Sequence, residues 1–122
     1  PETLARLERG LIPSGVNQMA LLGACAALED SAHLAAEQAR NREVKAFTRA
    51  WFERAGFPVG PSETNFLMVD LRRDIKAFKG ACLKEGVAVG RPFPPLGTHL
   101  RLSLGTRAEM EAALSVFQSV LI

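Results

Sequence analysis

Apolar positions along this chain follow two periods, and the change falls near Pro58. Before it, they recur at three- and four-residue spacing. Leu4, Leu7 and Leu11 form one stripe in a short helix opened by Pro1-Glu2, and Gly10 and Pro13-Ser14-Gly15 interrupt it. A second helix is expected from about Val16 to Glu29. Its small residues, Ala20, Gly23, Ala24 and Ala27, suit close packing against another element. A third is expected from a cap at Ser31 to Ala55, with Leu34, Val44, Phe47, Trp51 and Ala55 on its apolar face. Its other face, from Glu37 and Arg40 to Arg49 and Glu53, is dense in charge and reads as solvated. Gly56 is placed to end this helix in the left-handed conformation, and Pro58 prevents a restart.

Beyond Pro58 the pattern becomes extended. Pro61-Ser62-Glu63 is a turn, and Asn65 to Asp70 is a near-continuous apolar strand, expected to be covered on both faces. Asp74 caps a helix from about Ile75 to Glu85, with Ile75, Phe78, Cys82 and Leu83 inward, and Gly86 stops it. Val87-Ala88-Val89 is a short strand. The prolines of Gly90-Arg91-Pro92-Phe93-Pro94-Pro95-Leu96-Gly97 exclude helix and central strand. Strict alternation follows: Leu100, Leu102 and Leu104 on one side, His99, Arg101 and Ser103 on the other. Thr106-Arg107-Ala108-Glu109 is a capping box for a last helix with Met110, Ala113, Leu114, Phe117 and Leu121 on one face. This order predicts an α+β fold, layered as α/β, with helices packed on a small three- to four-stranded sheet.

Composition narrows the classes of partner. The chain has 122 residues, about one domain, with 48% hydrophobic and 23% charged residues and a net charge of +2. No basic run marks a nucleic-acid or membrane surface, since Asp70 and Asp74 flank Arg72-Arg73. The apolar stretch Met19 to Leu28 is about half of what a bilayer requires. Cys25 and Cys82 lie in apolar helical patterns and are expected to be buried small hydrophobes. With no disulfide framework and no leader pattern, a cytoplasmic setting is expected. The start at Pro1, without Met, fits either Met removal or a piece of a longer protein.

Candidate chemistry is sparse. There is no Gly-rich phosphate loop and no Cys/His cluster at metal spacing, and His33 and His99 have no catalytic partner at a suggestive interval. No catalytic nucleophile, cofactor-binding residue or metal ligand is assigned. Two arginines are held in constrained places. Arg91 precedes a proline, which biases it to extended geometry. Arg101 sits mid-strand, opposite a leucine face. Planar guanidinium groups there are either solvated and ion-paired or a fork for carboxylate or phosphate.

Three segments carry a family resemblance: Pro61 to Val69 with its Thr-Asn-Phe-Leu-Met-Val core, Gly86-Val-Ala-Val-Gly-Arg-Pro-Phe-Pro-Pro, and Leu100-Arg-Leu-Ser-Leu-Gly-Thr-Arg-Ala-Glu-Met. Together they resemble the C-terminal part of fold type I, class I/II, pyridoxal-phosphate aminotransferases, in the histidinol-phosphate aminotransferase branch. The resemblance implies that residues 31–122 are a small domain, that residues 1–30 are interdomain helices, and that the large cofactor-binding domain lies outside this chain. It implies that Arg101 binds the substrate α-carboxylate, that Arg91 contacts a distal group such as a phosphate, and that Asn65 faces the domain interface beside the substrate. It also implies an amino acid or amino-alcohol phosphate as substrate, pyridoxal 5'-phosphate as cofactor, and a homodimer. Lys45, Lys76, Lys79 and Lys84 all lie on expected helices, read as solvated, and none has the context of the cofactor lysine. The sequence departs from the commoner pattern at Gly90, which shifts Arg91 by one position. In a strand such a shift turns a side chain to the other face. Alternatives are a decarboxylase or lyase on the same fold, and a stand-alone binding module with the arginines in surface salt bridges.

Overall fold

A computed structural model describes Glu2, Thr3, Arg6 and residues 17–121. The leucine stripe Leu4, Leu7 and Leu11 lies outside the described residues. The elements are helix α1 (Gln18–Glu29), helix α2 (Ser31–Arg54), strand β1 (Phe66–Asp70), helix α3 (Ile75–Lys84), strand β2 (His99–Ser103) and helix α4 (Arg107–Leu121). The chain divides into two compact units, 1–36 and 37–122.

In the first unit, Asn17 starts α1, its side-chain oxygen accepting from the N–H of Met19 at 2.9 Å. α1 buries no residue: Met19, Leu21, Leu22 and Leu28 are all exposed, and so is Cys25. The small residues of α1 are therefore exposed, and the expected burial of Cys25 does not hold. At the start of α2 the cap is Asp30, whose carboxylate accepts from the N–H of His33 at 2.9 Å. That displaces the cap expected at Ser31 by one residue, because a charged acceptor is the stronger partner for a free helix N–H. Leu34 is exposed.

The second unit holds the core. Along α2, Val44, Thr48 and Phe52 are fully covered, a strict four-residue step, while Phe47, Trp51 and Ala55 pack at its margin. Phe52 stands 6.1 Å from Phe117 between ring centroids, and Phe117 stands 5.3 Å from Phe78, so one aromatic column joins α2, α4 and α3. The Thr48 hydroxyl in this core has no hydrogen-bond partner. α2 ends at Gly56 and α3 at Gly86, both at φ +82°, the conformation a side chain would strain. The Asp74 cap and the Thr106–Glu109 capping box form as their sequences dictate, the Thr106 N–H donating to Glu109 at 2.6 Å.

β1 and β2 pair antiparallel, with Leu67 opposite Leu102, Met68 opposite Arg101 and Val69 opposite Leu100. Burial alternates along both strands. Leu67, Val69, Leu100 and Leu102 face the helices, each contributing about 1.5–3 kcal/mol by burial. Phe66, Met68 and Asp70 lie half-buried on the reverse face with Arg101. The expected coverage of β1 on both faces is thus corrected to one.

The α+β class stands, but the sheet has two strands among the described residues rather than three or four. Val87 to Val89 run beside β2 without forming a strand: only three residues separate Gly86 from Gly90, and Pro92 lacks an N–H. The extra pairing lies on the other edge. Val59 bridges Val69, with the Gly60 N–H donating to the Met68 carbonyl at 2.9 Å. Leu83, expected inward, is exposed on the outer side of α3.

Candidate anion-binding site

The reverse face of the β1–β2 pair is where the polar positions of both strands collect. Arg101 projects from the middle of β2. Directly across stands Met68, and diagonally Phe66, whose ring centroid is 4.3 Å from the guanidinium carbon. The loop after residue 90 folds over the same edge. Its turn is closed by the Leu96 N–H, which donates to the Phe93 carbonyl at 2.6 Å, and the Pro94–Pro95 bond is cis. The Phe93 ring lies 4.7 Å from the guanidinium carbon of Arg91 and 5.9 Å from that of Arg101.

Both arginines therefore line one cavity of about 220 Å³, together with Ala88, Val89, Gly90, Phe93, Leu102 and Ser103. The extra glycine does not turn Arg91 away. Since residues 87–90 form no regular strand, the alternation rule that would reverse the side chain has no ladder to act through. Gly90 passes so close to β2 that a Cβ on it would stand 3.2 Å from the carbonyl oxygen of Arg101. Among the described residues, no carboxylate comes within 4.0 Å of either guanidinium. Neither fork is ion-paired among the described residues, and planar guanidinium groups are the side chains suited to bidentate capture of a carboxylate or phosphate.

Asn65 is elsewhere. It lines a separate cavity with Gln38, Arg40, Asn41 and Gly105, and its carbonyl accepts from the Leu104 N–H at 2.8 Å. Next to it, Thr64 and Ser62 knot the entrance of β1, the Ser62 hydroxyl donating to the Phe66 carbonyl. The charged face of α2 reaches this turn. Arg49 donates to the Val59 and Gly60 carbonyls at 3.2 and 2.6 Å, and Lys45 to Ser62 at 3.0 Å. These two cations fasten a turn rather than simply standing in solvent, which corrects the reading of that face.

His99 lies at the end of β2, with Nδ1 3.2 Å from the Thr98 hydroxyl and 4.0 Å from Asp70. The Arg72 backbone N–H, followed by the Thr98 hydroxyl, holds the Asp70 carboxyl below its usual range. Burial pushes the Cys82 thiol up, away from thiolate chemistry.

Pyridoxal phosphate requires a lysine amine for its aldehyde. Lys45 is committed to Ser62, Lys76, Lys79 and Lys84 project from α3, and none of the four lines the arginine cavity. The residues present do not fit the cofactor's attachment site. They fit an anion. Phe66 and Phe93 are the site residues that sequence reading missed. The signal was available in the alternation of β1, which sets Phe66 on the face of Arg101 once only the other face is buried.

The chain thus presents two arginines in one cavity on an α+β layer. A family model for aminotransferase class I and II matches residues 2–117, and the chain belongs to that family. It is 35% identical to the histidinol-phosphate aminotransferase of Moorella thermoacetica, over 99% of this chain and 32% of that protein. It is 40% identical to the one from Symbiobacterium thermophilum, over 87% of this chain and 30% of that protein. Among solved structures, a provisionally assigned histidinol-phosphate aminotransferase from Erwinia carotovora atroseptica superposes with a TM-score of 0.79 at 28% identity, over 97% of this chain and 34% of the other. The chain thus spans about a third of the length of the relatives it matches. No helix among the described residues is long and apolar enough to cross a membrane.

Proposed function

We propose that this chain is the substrate-clamping part of a pyridoxal-phosphate-dependent aminotransferase acting on an amino acid or amino-alcohol phosphate of the histidinol-phosphate type. Residues 31–122 act as the small domain and residues 1–30 as the connection to a cofactor-binding domain. The whole enzyme works as a cytoplasmic homodimer. The observation that carries the reading is the pair of unneutralised arginines in one cavity. Arg101 binds the α-carboxylate through its fork, and Arg91 receives the distal anion, a phosphate in such substrates. When bound, the cofactor supplies the electron sink for chemistry at the α-carbon. The residues of this chain supply orientation: a carboxylate gripped by two parallel N–H donors cannot rotate about its attachment, so the α-carbon is presented in one pose. Asn65, on its separate cavity at the entrance of β1, faces the interface with the cofactor-binding domain.

The test is Arg101→Lys in the full-length enzyme. An ammonium replaces the planar fork with a point charge, so KM for the amino donor rises about tenfold or more. An unchanged kcat/KM overturns the assignment. Product analysis separates amino transfer from release of carbon dioxide, which would instead indicate a decarboxylase.

A further inference from the structure

Arginine forks in binding sites are usually steadied by a carboxylate, which also consumes their charge and donors. Here neither fork has one among the described residues. Both instead lie within about 6 Å of the same aromatic ring, the distance at which a ring quadrupole attracts a cation. Arg101 has a second ring, Phe66, at 4.3 Å.

We infer that Phe93, with Phe66, is a positioning residue of the anion site, holding the Arg91 and Arg101 guanidinium groups in place while leaving their charge and N–H donors free for substrate. The inference rests on the proposed role of the arginine cavity and adds how that cavity is kept charged. Its physical logic is directional. A carboxylate engages the N–H edge of a guanidinium, the edge a substrate anion needs. A ring that stacks on its face leaves that edge open. Phe93 and Phe66 are both half-buried, so the attraction is only partly screened by solvent. They come from two different elements, the loop and β1. Arg91 rests on the loop's ring alone and Arg101 touches both. Phe93 is the shared contact, so changing it disturbs the two anion grips together.

The test uses the full-length enzyme with Phe93→Leu, Phe93→Tyr and Phe66→Leu, and Arg101→Lys as reference. Leucine keeps an apolar side chain and removes the quadrupole; tyrosine keeps the ring. Phe93→Leu is expected to raise KM for the anionic amino donor about three- to tenfold, with kcat within about twofold of the parent. Phe93→Tyr is expected to preserve KM, and Phe66→Leu to raise it. A parental KM in Phe93→Leu, beside a raised KM in Arg101→Lys, overturns the inference and leaves the anion site standing. A Phe93→Tyr enzyme as impaired as Phe93→Leu also overturns it, because shape rather than the ring face then matters. If Phe93→Leu does not fold, Phe66→Leu decides: a raised KM at retained kcat supports the ring mechanism, and a parental KM defeats it. A parental KM in Arg101→Lys defeats both this inference and the site reading beneath it, which separates the two failures.

Discussion

The guanidinium of Arg49 donates to the carbonyl of Gly60 at 2.6 Å, across eleven positions of sequence. A helix side chain thereby fastens the turn that delivers the chain into β1, and the Val59 carbonyl shares the same group at 3.2 Å. Arg49→Met keeps the apolar stem and deletes the donors. It is expected to lower stability by about 1–2 kcal/mol, which thermal unfolding would register as a Tm drop of roughly 4–16 °C. The exposed Arg42, one helix face away, provides the control: Arg42→Met should leave Tm unchanged. Equal effects of the two substitutions would mean that Arg49 acts only as surface charge.

Thr48 presents the opposite case, a polar group with nothing to satisfy it. Its hydroxyl sits in a fully covered step of α2 without a partner. Thr48→Val keeps the branched shape and removes the desolvated hydroxyl. Stability is expected to rise by up to about 1 kcal/mol in denaturant titration. A loss of stability would reveal a hydrogen bond made by that hydroxyl.

Asp70 links the fold to acidity. Its carboxyl is held below the usual range by the Arg72 N–H and the Thr98 hydroxyl, with the His99 imidazole and the Arg72 guanidinium nearby. A depressed carboxylate contributes stability that is fully present above its unfolded pKa and is lost as pH falls through its folded pKa. Asp70→Asn should therefore be less stable than the parent at neutral pH. The gap in Tm should close as pH is lowered from about 5 toward about 2. A gap that stays constant across this range would show that the charge plays no part.

The parts of the fold carried by local chemistry were legible in the sequence. Gly56, Gly86, Asp74 and the Thr106–Glu109 box each act through a neighbour a few residues away, and the structure places all four as their types require. The leucine alternation of β2 likewise set Arg101 on the open face. What escaped depended on distant partners. Phe52 is covered where α4 brings Phe117 to 6.1 Å from it, and Thr48 is covered in the same step of α2. Val87 to Val89 has strand composition but no ladder. Cys25 has the apolar context of a core residue, yet no residue of α1 is buried. The candidate site divides the same way. Arg101 is readable from its own strand, whereas the approach of Arg91 is created by Phe93 and a loop whose path no periodicity describes.

Gly90 has a further consequence for how this cavity can vary. Its α-carbon is a spacer of minimum thickness between the loop and the backbone of Arg101, since even one methyl group would press on that carbonyl at 3.2 Å. Any larger residue there must shift the loop or the Arg101 carbonyl by a few tenths of an ångström. The spacing between the loop that carries Arg91 and the strand that carries Arg101 is therefore set by a residue with no side chain.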